Sequence, residues 1–139
     1  IEDESGIAID KAEYDNNLNL VGFKFYNSKS EPVIGSFLKS AGGKIEYDIN
    51  GNCIKYSTIN LDDSLMISRH KAYDLYQFNI NGDLVELSSY DTDNKLLRLR
   101  GVIKIKYIYD DNKPFKHLKT EYFHNEEPPF KVNNKHWKR

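Results

Sequence analysis

With a single cysteine, Cys53, the chain cannot carry an intramolecular disulfide, and its cysteine usage leaves oxidising and reducing compartments equally open. Neither sign of charge is in excess. Twenty Lys plus Arg stand against 21 Asp plus Glu, a formal net charge of -1, so no overall field draws in nucleic acid or an anionic membrane surface. No apolar run approaches the roughly 20 residues that cross a bilayer, which excludes a transmembrane helix. A long apolar pattern at helical spacing is also missing. Asn, Asp, Tyr, Ile and Thr dominate, and turn signals interrupt most stretches, which leaves room for one helical turn at most, over Leu61 to Arg69. Met66 is the only methionine and Ile1 the first residue, the mark of a processed or trimmed chain.

What is present is turns and aromatics. At 139 residues the chain is the size of one domain, 1–139, able to bury a core without staples. Its hydrophobic fraction of 39% is low and its aromatic fraction of 13% is high, so its ten Tyr share in filling the core. The stretch Ile45-Glu46-Tyr47-Asp48-Ile49-Asn50-Gly51-Asn52-Cys53-Ile54 reads as a β-hairpin, with Asn50-Gly51 as a two-residue type I′ turn. Versions of it recur. Tyr14-Asp15, Tyr47-Asp48, Phe78-Asn79 and Tyr109-Asp110 begin 33, 31 and 31 residues apart, each followed by a turn that starts with Asn16, Asn50, Asn81 or Asn112. In the strand that follows, Val21, Ile54 and Val85 form one column, and Phe23, Tyr56, Leu87 and Leu118 another. That period-two pattern belongs to a strand with one inward face.

A repeat of this length is a supersecondary piece that cannot bury its own face, so neighbours share one core. The expectation is an all-β antiparallel meander of about four hairpin repeats of ~31 residues, in a single twisted or curled sheet. The units run over 6–33, 39–66, 70–97 and 101–128, with Glu126 to Pro129 closing the last and a polar tail over 129–139. The extra length of the first spacing lies in Gly35 to Gly43, a glycine-bounded loop carrying Phe37 and Leu38.

Tyr47-Asp48-Ile49-Asn50-Gly51-Asn52 and Phe78-Asn79-Ile80-Asn81-Gly82-Asp83 resemble the bacterial tyrosine-aspartate repeats, whose Tyr-Asp-x-x-Gly-Asn hairpins occur in long tandem arrays of surface and secreted proteins. Tyr90-Asp91-Thr92-Asp93-Asn94-Lys95 is similar to the second turn of related repeats in exported proteins and lipoproteins. The likeness covers most of residues 6 to 127, although Tyr14-Asp15-Asn16-Asn17 and Tyr109-Asp110-Asp111-Asn112 lack the motif glycine. It implies a structural or binding scaffold in an extracytoplasmic setting, and it brings no catalytic residue.

No constellation reads as catalytic. Asp48, Asn50 and Asn52 alternate as calcium ligands do, but the glycine is misplaced for an EF-hand and Ser57-Thr58-Ile59 stands where its Glu would be. His70 and His117, expected on strands, and His124, expected in a turn, have no ligand spacing, nor does His136. Cys53, at a strand start, reads as a small packing residue. The carboxylate pairs Asp62-Asp63, Asp91 with Asp93, and Asp110-Asp111 fall in turns, where Asp bonds nearby backbone N–H groups. Arg98, Arg100, Lys104 and Lys106 with Tyr107 and Tyr109 form a basic-aromatic run that also fits the solvent face of a strand.

The reading is therefore a non-enzymatic module of an exported or envelope protein, without cofactor or metal, that offers a sheet face to a protein partner. Phe37, Leu38, Arg98, Arg100 and Tyr107 are its candidate binding residues. Neither nucleic acid nor membrane insertion is expected. A toxin-neutralising immunity-type protein and a carbohydrate-binding or carbohydrate-active domain are the alternatives.

Overall fold

The structure, a computed structural model, describes residues 4, 6–110, 112–124 and 130–131, with the backbone alone at 114, 115, 130 and 131. It is all β. Eight strands, β1 (Ile9–Tyr14), β2 (Leu20–Tyr26), β3 (Gly42–Tyr47), β4 (Cys53–Ile59), β5 (Tyr73–Phe78), β6 (Leu84–Tyr90), β7 (Lys104–Asp110) and β8 (Lys113–Phe123), and a two-residue β9 (Phe130–Lys131), pair in chain order. Every pairing is antiparallel, so the sheet is one open meander. No helix occurs among the described residues, and none there is long and apolar enough to cross a membrane. Phe130 and Lys131, expected in a polar tail, pair with β8 instead, and the expectations for Glu126 to Pro129 lie outside the described residues.

The tight turns differ from the type I′ expectation. Asp48 closes a three-residue loop: its N–H donates to the Asn52 carbonyl (2.9 Å) and its carbonyl accepts from Gly51 N–H (3.1 Å). Only Gly51, with φ of 83°, is left-handed, so this is a type I turn with a glycine bulge. The side chain decides it. Asp48 Oδ1 accepts from the N–H of Asn50 and of Asn52, both at 2.9 Å, which holds the chain in the turn without a second positive φ. The same oxygen geometry recurs at Asp15, Asn27, Asn79 and Asp91. Leu18, Ser30 and Asn94 take the left-handed position at three of these turns, where no glycine stands.

Asn60 to Ser64 closes in the same backbone pattern, and Ser64 N–H donates to Asp62 Oδ1 at 3.2 Å. These turn-closing bonds occupy the Leu61 to Arg69 stretch in place of a helical turn. The type I′ geometry occurs elsewhere, at Arg69-His70 and Arg100-Gly101, where both central residues have positive φ. His70 is thus a turn residue, not a strand residue. In the first unit the matching link is the four-residue loop 36–39 between Gly35 and Ser40, which accounts for the spacing of 33 against 31.

Strand alternation gives the sheet two unlike faces. The aromatic face carries Val21, Phe23, Phe25, Ile45, Tyr56, Tyr76, Leu87, Ile105, Tyr107 and Tyr122, as the cross-strand register requires. The opposite face mixes ion pairs, Glu46 with Lys55 at 3.4 Å and Glu86 with Lys104 at 2.9 Å, with aromatic side chains, among them Tyr73 and Tyr90, whose rings stack at 4.9 Å. Leu118, expected inward, is 47% exposed, because register shifts around Tyr109 place Thr120 opposite Tyr107. Substantial contacts between strands join sheet neighbours alone. The core therefore sits at the end away from the hairpin tips, where the links fold back. Phe25, Ala41, Ile59, Ala72, Tyr73 and Phe123 are its buried apolar members.

At Gly42 a Cβ would stand 2.0 Å from the Phe23 carbonyl oxygen, a backbone atom that cannot swing aside. Gly42→Ala is expected to cost about 1–3 kcal/mol or more, read from the urea midpoint. Asn52, through its side-chain amide first and its backbone N–H second, holds the Asp48 carboxyl below its ordinary value of 3.8. That contribution is whole above the unfolded value and is lost as pH falls through the lower folded one. Asp48→Ala should therefore lower Tm at neutral pH, and the gap to wild type should narrow as pH falls below 3.8.

Candidate functional site

Each junction between hairpins brings the same columns together under the short link that precedes the next first strand. At the first junction the notch is full. The rings of Phe23 and Phe25 lie 5.5 Å apart, and glycine at position 43 leaves room for Phe23, whose ring a Cβ would meet at 2.8 Å. At the third junction the notch is mainly aliphatic, lined by Leu87, Leu97, Leu99, Val102 and Ile105 together with Ser89 and Lys71, and holds about 170 Å³. The second junction is different. There the equivalent positions are Tyr56, Met66, Ser68, Lys71 and Asp74, and the notch opens to about 280 Å³.

Asp74 is buried and fully engaged. Its Oδ2 pairs with Lys71 Nζ at 2.5 Å and accepts from Tyr76 OH at 3.3 Å, and its Oδ1 accepts from Ser89 Oγ at 2.5 Å. Burial first, and then the Asp74 charge, push the Tyr56 and Tyr76 hydroxyls above their ordinary range, Tyr76 furthest because it also donates to that carboxylate. A carboxylate with three partners beside apolar walls is held in one orientation by them.

Phe37 and Leu38 meet this notch. Ser68 Oγ donates to the Leu38 carbonyl (2.6 Å), and Arg69 Nη2 to the Phe37 carbonyl (2.7 Å). The Arg69 guanidinium lies 5.3 Å from the centre of the Phe37 ring, which is 74% exposed, while the Leu38 side chain lines the notch. These bonds help hold Arg69 and His70 at φ of 50° and 78°, a conformation costing about 1–2 kcal/mol per residue.

Arg98 and Arg100 lie elsewhere, exposed on the link above the third notch, where Leu97 and Leu99, alternating with them, line that notch. Tyr107 is half-buried on the aromatic face with the His117 ring edge-on at 5.9 Å, whereas Lys104 and Lys106 project from the other face. The expected basic-aromatic run is thus split between the two faces. Lys71, Asp74, Tyr76, Ser89 and Arg69 were not legible as a site from their spacing. One signal existed: Asp74 stands in a column with Asp10 on the edge strand and Gly43 and Ile105 on the other inner strands, so a charge sits inside the sheet where its inner counterparts are apolar or absent.

The other constellations are occupied by the fold. Asp48 Oδ2 takes the Asn52 side-chain amide at 2.9 Å, Asp63 pairs with Lys24 at 2.9 Å, and Asp91 takes the N–H groups of Asp93 and Lys95. No group of three or more His, Cys, Asp or Glu that could hold a metal occurs among the described residues. Burial pushes the Cys53 thiol up, away from a thiolate. Compared with known proteins, the chain matches no family model and no curated protein.

Two outcomes follow from the notch. Lys71→Val strips a buried carboxylate of its cation and should cost about 1–3 kcal/mol, whereas Lys71→Val with Asp74→Ile reproduces the Val102 and Ile105 pair of the third notch and should recover most of it. Urea unfolding of both variants decides this. The raised Tyr76 hydroxyl contributes stability that is whole below pH 10 and lost as pH rises through its folded value. Tm should then fall more steeply above pH 10 for wild type than for Tyr76→Phe, checked by thermal scans over the alkaline range.

Proposed function

We propose that the chain is a non-enzymatic β-repeat module of a bacterial exported or envelope protein, and that it binds a protein partner through its aromatic face. One observation carries this reading. Tyr56, Tyr76, Leu87, Ile105 and Tyr107 remain only half-buried on a face that no second layer covers among the described residues. Large, rigid aromatic side chains of this kind supply contact area at low entropic cost, and anchors of partners seat best in a pocket near the centre of such a face. The second notch is that pocket, with Leu38 and Tyr56 as its apolar wall and Asp74 and Lys71 as its polar floor. Besides Lys71, which pairs with Asp74, four cations, Lys39, Arg69, Arg98 and Arg100, and no acid occupy segments 34–40, 67–71 and 98–102, which favours a partner with an acidic rim.

The resemblance to tyrosine-aspartate arrays supports the exported setting and the scaffold role. The carbohydrate-active alternative needs two carboxyls converging across a cleft, and the notch holds one, already committed to Lys71 and Ser89.

Affinity capture from extract of the native organism tests the reading. A protein retained by wild type is expected to be lost by Phe37→Ser with Leu38→Ser and by Lys71→Val with Asp74→Ile, and kept by Lys44→Ala on the opposite face. Equal loss with Lys44→Ala, or no specific protein with folded wild type, would sink it.

A further inference from the structure

The aromatic face is bounded by two unlike margins. At one lie the hairpin tips 15–19, 48–52 and 79–83, which hold three acids, Asp15, Asp48 and Asp83, and no Lys or Arg. Each tip also carries a large aliphatic side chain in solvent: Leu18 is 82% exposed, Ile80 96% and Ile49 100%. The turns close without them, through backbone and Asx bonds. At the other margin the links 34–40, 67–71 and 98–102 hold Lys39, Arg69, Arg98 and Arg100 beside the paired Lys71, and no acid. Both margins run along the row of hairpins, so neither depends on where the row ends.

The links stand on the aromatic face. Leu38 and Arg69 line the second notch with Tyr56 and Tyr76, and Leu97 and Leu99 line the third with Leu87 and Ile105. The acidic turns between strand and link lean the other way. Asp63 pairs with Lys24 (2.9 Å), and Asn94, in the turn that Asp91 closes, accepts from the Tyr73 hydroxyl (3.0 Å), both partners being on the opposite face. The aromatic face is thus raised and basic at its linked end, bare and acidic at its tips. Between them, from β2 to β7, its only charged residue is Asp74, which Lys71 neutralises.

We propose that a second copy of this chain covers the aromatic face, the two sheets lying face to face about a two-fold axis with strands reversed, so that the tips of each meet the links of the other. This rests on the aromatic-face reading and names its partner. Reversal sets each raised end against a bare one and each acidic margin against a basic one, twice over by symmetry. Tips and notches repeat with one period, that of the hairpin, so the aliphatic tips of one copy reach the notches of the other in step. The second and third notches are open to them, at about 280 and 170 Å³. Eight strands about 4.8 Å apart and about 20 Å long present roughly 750 Å² per copy, about 1,500 Å² for the pair, which is the size of a stable interface.

Sedimentation equilibrium of the whole protein tests this. Wild type should reach the mass of two chains and stay there, with amide exchange slowed at 48–52, 67–71, 79–83 and 98–102. Asn50→Lys with Asn81→Lys gives the tips the charge of the links, and Arg98→Glu with Arg100→Glu gives the third link the charge of the tips. All four residues are exposed, so these variants should fold as wild type does. Each pair should weaken the dimer at least about tenfold, as should Ile49→Ser with Ile80→Ser, while all four charge changes in one chain should recover most of their loss. A combined variant as weak as either pair would mean that tips do not meet links, and would overturn the proposal. So would a dimer that neither pair weakens. A wild type that remains a single chain up to about 1 mM overturns the second copy as partner and leaves the aromatic-face reading to the capture experiment.

Discussion

At five turns one side-chain oxygen accepts two backbone N–H groups, those two and four residues on, and the sheet is built on that small ring of bonds. The oxygen fixes the loop at three residues, the loop fixes the register, and register decides which side chains share a face. Glycine is secondary. Leu18 adopts φ of 65° where Gly51 and Gly82 stand in the next two hairpins, and the turn closes all the same. Without the Asx oxygen, the short hairpins would have little to hold their ends, since the buried apolar side chains lie at the opposite end of the sheet.

With the frame held by backbone and turn chemistry, the columns between hairpins are free to vary. Three notches of one geometry are filled by phenyl rings, by a polar cluster and by aliphatic side chains. Only the second combines a buried charge with an open pocket, and it is the one against which the extra residues of the first link, Phe37 and Leu38, are fastened. An apolar pair of the kind at Val102 and Ile105 would satisfy the fold there. The Lys71–Asp74 pair is more than packing requires.

The hairpins, their order and their antiparallel pairing were legible in the sequence because turn residues and period-two alternation are local signals. The turn type was not, since Asn50-Gly51 satisfies both a type I′ turn and a type I turn with a bulge, and the choice lies in what Asp48 bonds. The true type I′ turn at Arg69-His70 left no trace, as neither residue favours positive φ and its conformation is supported by Ser68 and Arg69 reaching the loop some 30 residues earlier. For the same reason Phe37 and Leu38 could be marked as unusual, while Lys71, Asp74 and Ser89 could not be seen to converge. Their meeting depends on pairings across three strands and a link.

The unequal pairing within and between hairpins has a mechanical side. Six residue pairs join β3 to β4 and β5 to β6, but three join β2 to β3, β4 to β5 and β6 to β7. The array is therefore a row of stiff leaves bound along one margin, with bending concentrated where the leaves part. Side chains close the first joint at both margins, Tyr47 through its hydroxyl to the Leu20 carbonyl nearer the tips and Lys24 through Asp63 at the linked end.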